Sequence, residues 1–160
     1  MVFTKRHVLE SNIIFTDFHI QLSSEETVKR YRIVPDSNQL LQTLTDFQNR
    51  FNVSESQDYH LVFFNDAVQH LVRLCRALRM AGLHVLQLGV GGTGRSCSAR
   101  LASFIAGASY HELNIRRNYS IFDLRDDLKA VLLKCGSQKK KSTIFISELN
   151  LIQVRDQMSK

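Results

Sequence analysis

Between Gly89 and Ser96 the chain reads Gly-Val-Gly-Gly-Thr-Gly-Arg-Ser, glycines followed by a cation and a hydroxyl. Gly89, Gly94, Arg95 and Ser96 satisfy the spacing G-x-x-x-x-G-[K/R]-[S/T], in which a turn of backbone N–H groups cradles phosphate. Gly91, Gly92 and Gly94 open backbone angles closed to other residues and let the main chain approach an anion. Val90 and Thr93 complete the turn. Arg95 adds a full positive charge on a planar fork, where a lysine would place a compact ammonium. The Ser96 hydroxyl is of the type that ligates Mg²⁺ beside a bound phosphate. A plain tight connection between two elements would also be rich in glycine, so the flanks matter. An apolar run, His84 to Leu88, precedes the glycines, and a helical pattern follows them. That is the setting the spacing requires, since a helix N-terminus turns its N–H groups and positive dipole end towards the same anion.

Phosphate chemistry with a metal needs a carboxylate as well, usually at the end of an apolar strand. Thr143-Ile-Phe-Ile-Ser leads into Glu148, which supplies one. Glu148 either serves the metal side or simply ends a strand at the surface. Leu149 cannot accept a proton and Asn150 is a poor base, so nothing after Glu148 activates water. Cys75, Cys97 and Cys135 lie far apart without a C-x-x-C pair, which speaks against a disulfide framework or a zinc site. Cys97, at a helix start, reads as a small helix residue without chemistry of its own. The histidines show no ligand spacing.

The elements that must position these residues follow from periodicity. Ile13 to Phe15 and Tyr31 to Val34 read as extended, with Ser23 to Thr27 a short helical or irregular piece. Pro35 to Ser37 marks a turn in which Asp36 or Ser37 caps a helix over 38–51. Asn52 to Gln57 is polar and reads as a loop. A helix over 61–80 carries Phe64, Ala67, Val68, Leu71, Cys75 and Leu78 as one stripe, with Arg73, Arg76 and Arg79 on a solvated face. Gly82 is its stop. After the strand and glycine turn, a helix over 94–105 ends at Gly107. Tyr110 to Ile115 alternates as a strand. Ser120 caps a helix over 121–135 whose buried side is Phe122, Leu124, Leu128, Val131 and Leu132. Gly136 to Lys141 is a basic loop before the strand 143–147. Strand, helix, strand, helix, strand predicts a parallel sheet flanked by helices, and ligands bind such sheets beyond the carboxyl ends of the strands. The glycine turn and Glu148 both fall there.

The 160 residues are enough for one domain with a real core. The 44% hydrophobic and 22% charged fractions are those of a globular chain. No run reaches the ~18 apolar residues of a membrane helix, and the N-terminus lacks a secretory pattern. A cytoplasmic location is the expectation, with no membrane partner. The net charge of +6 suits phosphate ligands or acidic protein partners. The run Lys139 to Lys141 reads as a solvated loop, and no nucleic-acid motif accompanies it.

Four segments in order, LVFFNDAVQHLVRLCRALR, GVGGTGRSCSARLASFIAG, NYSIFDLRDDLKAVLLKCG and TIFISELN, together resemble dynein heavy chains, and among their parts the fourth AAA+ module of the axonemal type. SNIIFTDF resembles the segment that precedes that module. The resemblance runs over about residues 11–150. It implies a partial P-loop NTPase fold, an α/β three-layer sandwich with a parallel sheet, preceded by N-terminal helices. It divides the chain into an N-terminal segment, 1–58, a partial AAA+ domain, 59–150, and a divergent tail, 151–160. It implies ATP or ADP with Mg²⁺ as ligands, Gly89 to Ser96 as the nucleotide loop, and Ser96 and Glu148 on the metal side. It further implies other dynein modules, subunits and microtubules as partners of the parent, and a ciliary axoneme or cytoskeletal location. Three departures stand out. Ser96 replaces a common glutamine, Glu148 stands for the family's aspartate, and Leu149 occupies the place of the catalytic glutamate. Two further strands, a sensor, an arginine finger and a helical lid are not found, so the expectation is a fragment, a truncated isoform or a degenerate gene product. A partial sheet of this kind has an unpaired edge prone to association. Three functions follow: nucleotide binding with little or no hydrolysis, a non-catalytic interaction piece with a vestigial loop, and a small phosphotransferase. The last is least supported, because base, second carboxylate and lid are missing.

Overall fold

The computed structural model describes residues 13–18, 30–56, 58–115 and 119–147. Ser23 to Thr27, Glu148 with Leu149 and Asn150, and the tail 151–160 lie outside the described residues. The elements in order are β1 (Phe15–Thr16), β2 (Arg32–Ile33), α1 (Ser37–Glu55), α2 (Asn65–Arg79), α3 (Arg95–Ala106), β3 (Ser109–Glu112), α4 (Ile121–Gln138) and β4 (Ser142–Phe145). β1 and β2 pair antiparallel, Phe15 opposite Ile33. β3 and β4 pair parallel, from Ser109 opposite Ser142 to Glu112 opposite Phe145, with α4 as the crossover between them. This mixture of helices with a small parallel sheet is the α/β class that the sequence predicts.

The core lies between α1, α2 and α3. Leu40, Leu44 and Phe51 of α1 meet Val68, Leu71, Val72, Leu74 and Cys75 of α2 and Ala99, Leu101, Ala102 and Ile105 of α3. α3 is the centre, and its Leu101 and Ala102 are both fully buried. Spacing explains the partners: Leu40, Leu44, Gln48 and Phe51 form one stripe of α1. Asp36 caps α1, its carboxylate accepting from Asn38 N–H at 2.8 Å. α1 continues through Glu55, past the expected loop start at Asn52. The Asn52 side chain is engaged by the backbone of Tyr59, so it does not compete for its own helix.

α2 begins at Asn65, later than predicted, and Phe64 at its cap is exposed. Its basic residues are not one solvated face. Arg79 is bound to the buried carboxylate of Asp17 through Nη1 and donates from Nη2 to the Ile105 carbonyl at 3.1 Å. Arg76 lies over the Tyr31 ring, 5.6 Å from its centroid. Arg79 sits where the helix ends against two other segments, which periodicity cannot reveal.

Two more expectations are corrected. The apolar run before the glycine turn forms no strand pairing among the described residues. Leu86, Leu88 and Val90 are 83%, 84% and 79% exposed. A strand exists only with a neighbour for its N–H and C=O groups, and each described sheet has two strands, neither from this run. α4 buries no residue fully; Leu124, Leu128 and Val131 are half-buried, while Phe122 and Leu132 are exposed. α4 also runs on to Gln138, past the predicted basic-loop start, and ends at Lys139 in the left-handed region. Its start is as predicted: Ser120 and Asp123 form a reciprocal capping box.

Candidate functional site

The glycine turn folds on itself before it opens into α3. Thr93 donates both its N–H, at 3.4 Å, and its hydroxyl, at 2.9 Å, to the Val90 carbonyl. Gly92 and Gly94 have φ of +83° and +74°, in the left-handed region. A Cβ on Gly89 would lie 3.0 Å from the Thr93 hydroxyl, a close approach that Thr93 would have to relieve by a few tenths of an ångström. Gly91 and Gly92 face open space. Gly94 is the N-cap of α3, and its carbonyl accepts the first helical bond from Ser98 N–H at 2.8 Å. The N–H groups of Ser96 and Cys97 lie in the first turn, where no intrahelical acceptor exists. They point outward at the positive end of a twelve-residue helix.

All the residues from Gly89 to Ser96 thus sit on one turn and one helix start. These features fit a phosphate group: a turn drawn close at Gly89, open approach at Gly91 and Gly92, and helix amides behind it. For Mg²⁺ the described residues offer the Ser96 hydroxyl, and among them no group of three or more His, Cys, Asp or Glu side chains gathers to hold an ion. A metal here would share its coordination with the phosphates of a ligand. Glu148, the predicted metal-side carboxylate, lies outside the described residues, so the structure does not place it beside Ser96.

Sequence reasoning missed what stands around the turn. Leu61 stands beside Gly94, its Cδ2 3.4 Å from where a Cβ would be. Gln87 donates to the Ser98 hydroxyl at 3.5 Å, tying the approach segment to α3. Arg100 of α3 donates to Glu112 at 2.5 Å and lies over the Tyr110 ring at 4.7 Å. Burial, and then the Glu112 carboxylate, push the Tyr110 hydroxyl well above its ordinary range. No spacing rule announces these partners, because each comes from a different element.

A family model described as "P-loop containing dynein motor region D4" matches residues 59–158. That is more than half of the chain. The chain belongs to the dynein motor region D4 family. It is 34% identical over 139 residues to dynein axonemal heavy chain 1 of Rattus norvegicus, covering 87% of this chain and 3% of that protein. It is 36% identical over 124 residues to dynein axonemal heavy chain 8 of Homo sapiens, covering 77% of this chain and 3% of that one. The dynein-1-alpha heavy chain of the flagellar inner arm I1 complex of Chlamydomonas reinhardtii is 31% identical over 150 residues, with 91% and 3% covered. The chain therefore spans a few hundredths of the length of these dynein heavy chains. The dynein D4 match includes α2, the glycine turn, α3, the parallel pair and α4. No described helix is long and apolar enough to cross a membrane.

Proposed function

We propose that this dynein-related AAA+ chain binds ATP or ADP at Gly89, Val90, Gly91, Gly92, Thr93, Gly94, Arg95 and Ser96, with little or no hydrolysis. The observation that carries the reading is the turn itself, in which a Cβ at Gly89 would crowd the Thr93 hydroxyl and Gly94 caps α3 in a left-handed conformation. Backbone amides and the helix end hold the phosphates, and Arg95 adds charge. Ser96 and Glu148 take the Mg²⁺ that accompanies the nucleotide. Leu149 supplies no base, so the bound nucleotide stays intact. The nucleotide domain is 59–150, with 1–58 as its N-terminal segment and 151–160 as its tail. By relation to axonemal heavy chains, the parent works with other dynein modules and subunits on microtubules, in a ciliary axoneme or cytoskeletal setting.

Calorimetry with ATP and with ADP, each with and without Mg²⁺, tests this. Saturable binding that strengthens with Mg²⁺, without phosphate release, is the expected result. Absence of binding would favour the second reading, a vestigial loop in an interaction piece. One observation favours that reading: Thr93 spends both of its donors on the Val90 carbonyl.

A further inference from the structure

Helix α1 grips the chain that runs past the glycine turn. The Asn52 side chain engages both backbone groups of Tyr59: its Nδ2 donates to the carbonyl at 3.2 Å, and its Oδ1 accepts from the N–H at 3.2 Å. Gln48, one turn earlier, donates to the same carbonyl at 2.6 Å. A peptide held at its donor and its acceptor has little freedom to rotate or slide. The ring of Tyr59 is fixed as well, stacked on Phe51 at 5.5 Å and lying 5.9 Å from the Arg100 guanidinium of α3. Just beyond, the Leu61 Cδ2 stands 3.4 Å from where a Cβ on Gly94 would be, beside the residue that caps α3 and closes the turn. A path therefore leads from Asn52 to the Tyr59 backbone and, two residues on along the chain, to the Leu61 side chain beside Gly94.

We propose that Asn52, assisted by Gln48, is a positioning residue for the nucleotide loop. It fixes the stretch 58–64 so that Leu61 holds Gly94 and the amides behind it in their binding conformation. This rests on the reading of the turn as a nucleotide seat. Local capping does not account for the arrangement, because the partners lie seven residues apart and the bonds leave the helix.

The test uses the full chain with Asn52→Ala and Asn52→Asp. Aspartate keeps the acceptor for Tyr59 N–H and loses the donor. Thr45→Ala is the comparison; that side chain bonds the Leu41 carbonyl of its own helix at 2.9 Å. Amide hydrogen exchange is followed in the nucleotide-free chain, and ATP affinity by calorimetry. Asn52→Ala is expected to speed exchange at 91–96 several-fold and to weaken ATP by about tenfold, the scale of one or two lost hydrogen bonds. Asn52→Asp is expected to disturb both readouts at least as much, because its carboxylate would face the Asp58 carboxylate and the Tyr59 carbonyl, and Thr45→Ala matches the unaltered chain. Unchanged exchange at 91–96 with unchanged affinity overturns the proposal. So does a rise in exchange spread evenly over α1, α2 and α3, which marks a purely structural role. If the unaltered chain binds no ATP, the nucleotide reading fails, while the exchange at 91–96 still decides whether Asn52 positions the turn.

Discussion

Gly94 has a φ of +74°, and a Cβ added there would meet the Leu61 side chain at 3.4 Å. Replacing it with valine costs about 1–2 kcal/mol for the left-handed backbone alone and presses on Leu61. The expected outcome for Gly94→Val is loss of ATP binding in calorimetry with most of the helical circular dichroism retained. Asp123 gives a pH prediction. Hydrogen bonds from Ser120 hold its carboxyl below the ordinary value of 3.8. A depressed pKa stabilises above the unfolded value and is lost as pH falls through the folded one. Acid titration of helicity should thus show a component below about pH 4, absent in Asp123→Asn. Burial pushes the Cys75 thiol up to about 12, so an alkylating reagent at pH 8 should modify Cys97 and Cys135 well before Cys75. At this scale the sequence is legible where residue type alone signals geometry. The glycines, the Ser120 cap and the Asp36 cap fall in that group. Asn52 and Leu61 do not, because an amide or a leucine says nothing about a partner in another element.

The segment from Leu83 to Val90 shows how a strand pattern can be correct in composition and still form no strand. Its apolar residues fit a buried strand, yet the hydrogen-bond partner that makes a strand is non-local. Periodicity predicts the segment's preference and cannot supply its neighbour. The same holds for α4, whose helical spacing is plain while its burial depends on what packs against it. With its apolar side chains exposed and no Asp, Glu, Lys, Arg or proline, the segment is suited to pairing with other chains. Leu86→Lys with Leu88→Lys should reduce self-association in sedimentation or light scattering and leave the melting temperature nearly unchanged, since both side chains are already in water.

Taken as a molecule, the chain is organised by α3, which caps the turn at one end and fills the core along its length. Leu101→Ala should cost about 2–5 kcal/mol in denaturant unfolding, because the side chain is fully enclosed. The helical pattern of α3 is visible in sequence, but its central place is not, since burial on nearly every side needs α1 and α2 in position. Arg79 is the sharper case. It binds Asp17 of the N-terminal segment and the end of α3, while its own carbonyl accepts from Lys141 Nζ at 3.1 Å. Its planar fork grips in two directions at once, which a lysine ammonium cannot copy. Those grips join stretches distant along the polypeptide, so they are expected to form late in folding. Their loss should show in chevron kinetics as faster unfolding with little change in refolding.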